Sequence, residues 1–182
     1  MKKFSIRTTC RRLLADTITP VSIYLRLRDE FPNSFLLESS DYHGNENSYS
    51  LICLKPVAGF TADNGNIKET YPDGTTLQSA VTSGYDFLER FSSFFKSFSM
   101  TESDTDIPVN GIFGYMSYDA VQYFEKIKLL APENTDCRIP HVRYDFFRYI
   151  IAVNHHQNIL YIIENSIDGD TESEAEHIED LL

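Results

Sequence analysis

Tryptophan is absent from this chain of 182 residues, and cysteine is rare. The three cysteines, Cys10, Cys53 and Cys137, are odd in number and lack the paired spacing of a metal site. The first residues contain no apolar run of the kind found in a signal peptide, and no segment approaches the roughly 20 apolar residues of a membrane span. These absences predict a chain with reduced cysteines that belongs in the cytoplasm and does not enter a membrane.

Basic side chains are also scarce, with 16 Lys and Arg against 27 Asp and Glu and a formal net charge of −11. This balance argues against nucleic acid or an anionic membrane as a partner. No Lys or Arg follows Arg148, and we predict that the acidic residues near the end form a solvated face. Those eight residues are Glu164, Asp168, Asp170, Glu172, Glu174, Glu176, Glu179 and Asp180.

Catalytic motifs are missing as well. The chain has no Gly-x-Ser-x-Gly, phosphate-binding loop or dinucleotide fingerprint. Gly111 and Gly114 are too close together for the dinucleotide pattern, so we expect them to admit another backbone beside a strand. His155 and His156 are adjacent in a predicted turn, which makes them a poor chelate and favours a solvated turn. We therefore predict neither catalytic residues nor metal ligands in this chain.

Apolar residues make up 42% of the chain and aromatic residues 13%, enough to fill a core in one domain of this length. Thr19 followed by Pro20 predicts the start of a helix that runs to about Glu30. Residues 77–98 have the three- and four-residue spacing of a second, aromatic-rich helix. Two hairpins are predicted, 57–62 with 67–71 around Asn64-Gly65, and 142–153 with 159–164.

These elements predict an α+β fold in which antiparallel β-sheets pack as a sandwich with flanking helices. Phe4 and Ile6 indicate a short first strand, followed by a basic loop through Arg11 and Arg12. Pro56 is expected to end the strand that begins at Tyr49. A last helix over 171–182 carries Ala175, Ile178 and Leu182 on one stripe, and this stripe ends with the chain.

Two neighbouring strands would deliver polar side chains to one end of a sheet. Leu36-Leu37-Glu38-Ser39 ends a short apolar strand, and Tyr49-Ser50 begins the next one after a polar loop. A carboxylate can pair with an ammonium, while hydroxyls and strand-end amides can satisfy a carboxylate. With apolar neighbours, such a strand end suits a small zwitterion that has a hydrophobic body.

A second motif lies downstream, from Gly111-Ile112-Phe113-Gly114-Tyr115 through Ser117-Tyr118-Asp119 to Phe124-Glu125. Together with Leu-Leu-Glu-Ser, with Thr19-Pro20-Val21-Ser22 and with Tyr49-Ser50, this motif resembles the N-terminal domain of anthranilate synthase component I. The four elements occur in the order that this family shows, and the resemblance runs from about Phe4 to the end of the chain.

The resemblance implies a tryptophan feedback site that includes Leu37, Glu38, Ser39, Tyr49 and Ser50. It also implies that chorismate and Mg²⁺ bind in a C-terminal catalytic domain absent from this chain, so no cofactor is expected here. The implied partners are tryptophan as inhibitor, the missing catalytic domain and a glutamine amidotransferase subunit. The polar loop departs from the family pattern, because it has His43-Gly44 where many members have a glycine-rich loop with an Arg.

We therefore interpret residues 1–182 as a single N-terminal regulatory domain, truncated and catalytically inactive by itself. The parent protein would convert chorismate and glutamine or ammonia to anthranilate and pyruvate. One alternative is the same region of aminodeoxychorismate synthase component I, an enzyme of folate synthesis. Another is a non-enzymatic domain that docks a partner through the face formed by Ala175, Ile178 and Leu182.

Overall fold

The structure is a computed structural model that describes residues 3–38, 48–81, 83–103, 110–125, 127, 139–167, 170 and 172–182. Nine strands and three α-helices are assigned in this part of the chain. The strands are β1 (Phe4–Leu14), β2 (Phe35–Leu37), β3 (Tyr49–Asp63), β4 (Asn66–Thr70), β5 (Thr76–Ala80), β6 (Phe98–Ser103), β7 (Ile112–Met116), β8 (Val142–Asn154) and β9 (Ile159–Ile167). The helices are α1 (Pro20–Leu27), α2 (Gly84–Phe95) and α3 (Ala175–Asp180), with a 3₁₀ helix over Tyr118–Tyr123.

The fold is mixed α+β, with a large sheet and few helices, as the sequence predicts. The described residues divide into two compact units. The first unit comprises Lys3 and the described residues of Val57–Phe98 and Ile112–Phe146. The second comprises those of Phe4–Pro56, Ser99–Gly111 and Phe147–Leu182.

In the first unit, β3, β4 and β5 pair antiparallel in that order, and β7 pairs antiparallel with the start of β8. The predicted hairpin turn is present, because Asn64 and Gly65 both have positive φ, at 47° and 73°. Phe60 of β3 is fully buried and meets α2 through the edges of Phe87 and Phe91. An aromatic core therefore holds α2 on this sheet.

In the second unit, β8, β9 and β1 pair antiparallel, and β2 pairs antiparallel with the start of β3. Ile150, Ile151, Ile162 and Ile163 are all buried, which confirms that the predicted hairpin is covered on both faces. The core of this unit also includes residues from α1 and α3. Its buried members are Ala15, Ile23, Leu27, Phe31, Ile52, Leu54, Tyr149, Ile151, Val153, Leu160, Ile162, Ala175 and Ile178.

Local signals predicted α1 well. Thr19 is its N-cap, Pro20 is its first residue, and a capping box is complete because Thr19 and Ser22 each accept the backbone N–H of the other. Cys53, one of the cysteines predicted to be reduced, is a buried free thiol, and its burial raises the pKa of the thiol to about 12.

Several predicted element boundaries are wrong. The last helix, predicted over 171–182, spans only Ala175–Asp180. The helix predicted over 77–98 begins only at Gly84, since Thr76–Ala80 pairs with β4 as a strand. β1 continues through the predicted basic loop to Leu14, because every residue from Ile6 onward has a partner in β9. β3 passes through Pro56, and the preceding Lys55 has a positive φ of 57°.

The prediction that the terminal acids form a solvated face is wrong for several of them. Glu164 is 7% exposed and accepts a hydrogen bond of 3.0 Å from Arg148, which also pairs with Asp170. Glu174 pairs with Lys55 at 2.5 Å, and Glu179 pairs with Arg11 at 3.2 Å. Glu176 agrees with the prediction, because its side chain is 86% exposed although it lies 3.4 Å from Arg11. Asp168 lies outside the described residues.

The face predicted on α3 as a docking surface is part of the core. Ala175 and Ile178 are 2% and 0% exposed, and Leu182 is partly buried against the same cluster. These side chains therefore stabilise the second unit and are not available to a partner. None of the helices in the described part of the chain has the length and apolar character needed to cross a bilayer.

Candidate functional site

The predicted site lies in the second unit, where β2 ends and β3 begins. The antiparallel register pairs Phe35 with Cys53 and Leu37 with Leu51. The next residues along these two strands are Glu38 and Ser50. The pairing of the strands thus brings the end of the Leu-Leu-Glu element beside the Tyr-Ser element, although the polar loop separates them in sequence.

The five predicted site residues differ in their exposure. Glu38 is exposed, while Leu37 and Tyr49 are half-buried. Ser50 is 0% exposed. Ser39 lies outside the described residues, as does His43 of the polar loop.

Ser50 forms a hydrogen bond that the sequence does not reveal. Its Oγ lies 2.8 Å from Nε2 of His155, a residue 105 positions away in the turn between β8 and β9. The backbone N–H of His155 also donates to the carbonyl oxygen of Ser48 at 3.1 Å. His155 therefore holds the residues on both sides of Tyr49.

The turn that carries His155 is itself fixed by hydrogen bonds. Asn154 is 1% exposed, and its Oδ1 accepts from the backbone N–H groups of His156 and Gln157, both at 2.9 Å. Asn158 has a positive φ of 51°, and its carbonyl accepts from Ala15 at 2.8 Å. An Asn side chain that accepts hydrogen bonds from the backbone of the following residues stabilises a tight turn locally.

The predicted solvated turn is thus wrong for His155 and agrees with the structure for His156. His155 is half-buried, whereas His156 is exposed. The sequence gives no signal that distinguishes the two, because the distinction depends on which imidazole faces β3. Only the tertiary structure shows that this polar turn lies beside the buried Ser50.

The described residues of this strand junction differ in the chemistry that they offer. Glu38 has an exposed carboxylate, a group that can pair with an ammonium, and Leu37 and Tyr49 are each half-buried, with part of their surface exposed. The hydroxyl of Ser50 is buried and forms its hydrogen bond with the ring of His155.

Two grooves lie elsewhere, and neither contains a predicted site residue. One, of about 350 Å³ in the second unit, is crossed by ion pairs of 2.5 Å between Glu30 and His177 and between Lys55 and Glu174. The other, of about 610 Å³ in the first unit, contains the buried Glu69, whose carboxylate accepts from the hydroxyl of Tyr71 at 2.5 Å. Within the described ranges, no group of three or more His, Cys, Asp or Glu is placed to hold a metal ion.

Comparison with known proteins gives relatives both in sequence and in structure. No family model matches the chain. Anthranilate synthase component 1 of Acinetobacter calcoaceticus is 27% identical over 165 residues, which are 90% of this chain and 33% of the relative. The protein of the same name from Thermus thermophilus is 27% identical over 172 residues, 93% of this chain and 34% of the relative.

The corresponding Pseudomonas putida protein is 34% identical over 135 residues, 71% of this chain and 26% of the relative. Among solved structures, anthranilate synthase component I from Streptococcus pneumoniae aligns with a TM-score of 0.49 at 19% identity, covering 94% of this chain and 35% of that one. The chain spans about a third of the length of the first curated relatives that it matches.

Proposed function

This chain is related in sequence, over about nine tenths of its length, to anthranilate synthase component 1, and we propose that it is the N-terminal regulatory region of such a component. In this proposal the region binds tryptophan at the junction of β2 and β3. Tryptophan is the end product of the biosynthetic pathway in which anthranilate synthase acts. The observation that carries the proposal is the sequence relationship, combined with the Leu-Leu-Glu-Ser and Tyr-Ser elements in family order.

The chemistry of the strand junction supports tryptophan as the ligand. Glu38 is an exposed carboxylate that can pair with the ammonium group, and Leu37 and Tyr49 present partly exposed surface to an indole. Ser39 completes the element that the family resemblance associates with tryptophan. Binding at this junction would inhibit a distant active site only if the two conformational states of the enzyme differ in their affinity for tryptophan.

The whole protein would catalyse the conversion of chorismate and glutamine or ammonia to anthranilate and pyruvate. We place this reaction, and the Mg²⁺ that it requires, in a further part of the polypeptide that this chain does not include. A glutamine amidotransferase subunit would supply the nitrogen. This division agrees with the third of the relatives' length that the chain spans.

Tryptophan binding can be measured without a label, because the chain contains no tryptophan of its own. Excitation beyond the tyrosine band then reports only the added amino acid. We expect its fluorescence anisotropy to rise and saturate when the chain is titrated into tryptophan. Ser39→Arg should abolish the rise, because a long cationic side chain would occupy the site and repel the ammonium group.

The matched control is Ser99→Arg, which makes the same substitution at an exposed position of β6. This variant should bind tryptophan as the wild type does. A flat trace for the wild-type chain would contradict a tryptophan site in this region, and equal binding by Ser39→Arg would contradict its location. In the whole enzyme, Ser39→Arg should relieve inhibition by tryptophan and leave uninhibited turnover unchanged.

A further inference from the structure

We propose that His155 is a positioning residue for the tryptophan site, and that it acts by fixing the start of β3 through Ser50 and Ser48. This inference rests on the proposed function, and it assigns to the turn between β8 and β9 a part in ligand recognition. It also changes the role of Ser50, which supports the site and does not contact the ligand.

The first observation is the state of the Ser50 hydroxyl. Ser50 is completely buried, and a buried hydroxyl is stable only when it has a hydrogen-bond partner. Nε2 of His155, at 2.8 Å, is that partner. The half-buried imidazole of His155, from a turn that is distant in sequence, thus provides the hydrogen-bond partner of the buried Ser50 hydroxyl at the start of β3.

The second observation is the position of Tyr49 between the two contacts. His155 accepts or donates through its ring at Ser50, and it donates through its backbone N–H to the carbonyl of Ser48 at 3.1 Å. Ser48 is also buried, at 7% exposed. The backbone of Tyr49 is therefore clamped on both sides, and its half-buried ring is held at the end of the strand.

The third observation is that the clamp has a rigid base. Asn154 closes the turn by accepting from the backbone of His156 and Gln157, and the carbonyl of Asn158 accepts from Ala15. A side chain holds a site accurately only when its own backbone is fixed. The turn between β8 and β9 meets this requirement. It can therefore hold the start of β3, the strand end beside Glu38, in a fixed position.

The test compares three substitutions in the 182-residue chain. His155→Leu removes the ring nitrogen but keeps an apolar side chain, and His155→Gln retains a polar group that can reach Ser50. His156→Leu makes the same change at the adjacent exposed histidine, whose backbone N–H donates to Asn154 in the turn. Far-UV circular dichroism establishes that each variant is folded, and tryptophan affinity is then measured by fluorescence anisotropy.

We expect His155→Leu to weaken tryptophan binding by at most about tenfold, the factor reached when the whole free energy of the lost Ser50 hydrogen bond is needed to hold the binding conformation. His155→Gln should recover most of the affinity, and His156→Leu should match the wild type. Ser50→Ala should weaken binding to a similar extent. Adding His155→Leu to Ser50→Ala should cost little more, because both substitutions break the same bond.

Amide hydrogen exchange provides a readout that does not need the ligand. In His155→Leu, the amides at the start of β3 should exchange faster than in His156→Leu. Equal exchange in these two variants, or equal tryptophan affinity, would overturn the inference while leaving the proposed function intact. If the wild-type chain binds no tryptophan, the proposed function fails, and the exchange comparison alone decides whether His155 anchors the strand.

Discussion

At the scale of single residues, Gly114 shows how a short motif serves the fold. A Cβ built at Gly114 would collide with the carbonyl oxygen of Arg143 and would lie 2.7 Å from Cα of Tyr144. Both are backbone atoms of β8, the partner of β7, so they cannot move as a side chain would. A Cβ built at Gly111 would meet no atom of the described residues within 4 Å. The sequence prediction of a close backbone approach is therefore confirmed for Gly114 and wrong for Gly111.

Gly114→Ala should destabilise the protein by about 1–3 kcal/mol, because the added methyl forces β7 and β8 apart. The free energy of unfolding can be measured by urea denaturation. Gly111→Ala is the control, and its effect should stay within about 0.5 kcal/mol. Equal destabilisation by the two substitutions would show that the contact with Arg143 is not the cause.

At the scale of elements, α2 begins where its capping residue allows it to begin. Ser83 is the N-cap, and its Oγ accepts the backbone N–H of Asp86 at 3.2 Å. The apolar periodicity that predicts a helix from residue 77 is overridden by the pairing of β5 with β4. Phe87 and Phe94 are buried in the core, whereas Leu88 and Phe95 are both 52% exposed.

Ser83→Ala should destabilise the protein by about 1 kcal/mol, the usual cost of losing an N-cap hydrogen bond. Ser117 provides the comparison, since it is the N-cap of the 3₁₀ helix but makes no capping bond through its side chain. Its buried Oγ has no hydrogen-bond partner among the described residues. Ser117→Ala should therefore be neutral or slightly stabilising in the same urea experiment, and a loss as large as that of Ser83→Ala would contradict this account.

Helix α3 is linked to the turn after α1 by His177 and Glu30, because Nε2 of His177 lies 2.5 Å from Oε1 of Glu30. The Glu30 carboxylate raises the pKa of the His177 imidazole above its usual 6.5. Because the folded state holds this proton more tightly, the tie is fully present below pH 6.5, the unfolded value. It is lost as the pH rises through the pKa of the folded state.

The titration of His177 can be followed by NMR. Glu30→Gln should lower its midpoint towards 6.5, since it removes the charge that stabilises the imidazolium. Glu176→Gln removes a carboxylate that pairs with Arg11, and it should leave the midpoint of His177 unchanged. A midpoint insensitive to Glu30→Gln would contradict the ion pair.

At the scale of the whole molecule, the charge of −11 is distributed more evenly than the sequence suggests. The acids after residue 163 meet basic residues from distant parts of the second unit, namely Arg11, Lys55 and Arg148. The pairs of Arg11 and Lys55 are partly exposed and contribute little stability each. The buried pair of Arg148 and Glu164 fixes the segment that precedes α3, because Ser173 also donates to Glu164 at 2.7 Å.

The 182-residue chain should not form anthranilate from chorismate and an ammonium salt in the presence of Mg²⁺. The reason is that the proposed catalytic residues belong to a part of the protein that this chain does not include. Anthranilate fluorescence measures the product directly, and a full-length relative serves as the positive control. Measurable turnover by this chain alone would contradict the proposal that the reaction takes place in a further part of the polypeptide.

The sequence by itself determined the features that depend on neighbouring residues. The capping box at Thr19 and Ser22, the Asn64-Gly65 turn and the two hairpins follow from local backbone preferences, which act over a few residues. The family relationship likewise follows from short motifs and their order. These predictions did not require knowledge of which strands are adjacent.

Tertiary structure alone decided the features that join distant residues. The pairing of β1 with β9 turned a predicted basic loop into strand, and the pairing of β5 with β4 shortened a predicted helix. The bond between Ser50 and His155 joins residues 105 positions apart. Contacts between residues so far apart in sequence depend on which strands pair in the folded protein, and no local propensity encodes them.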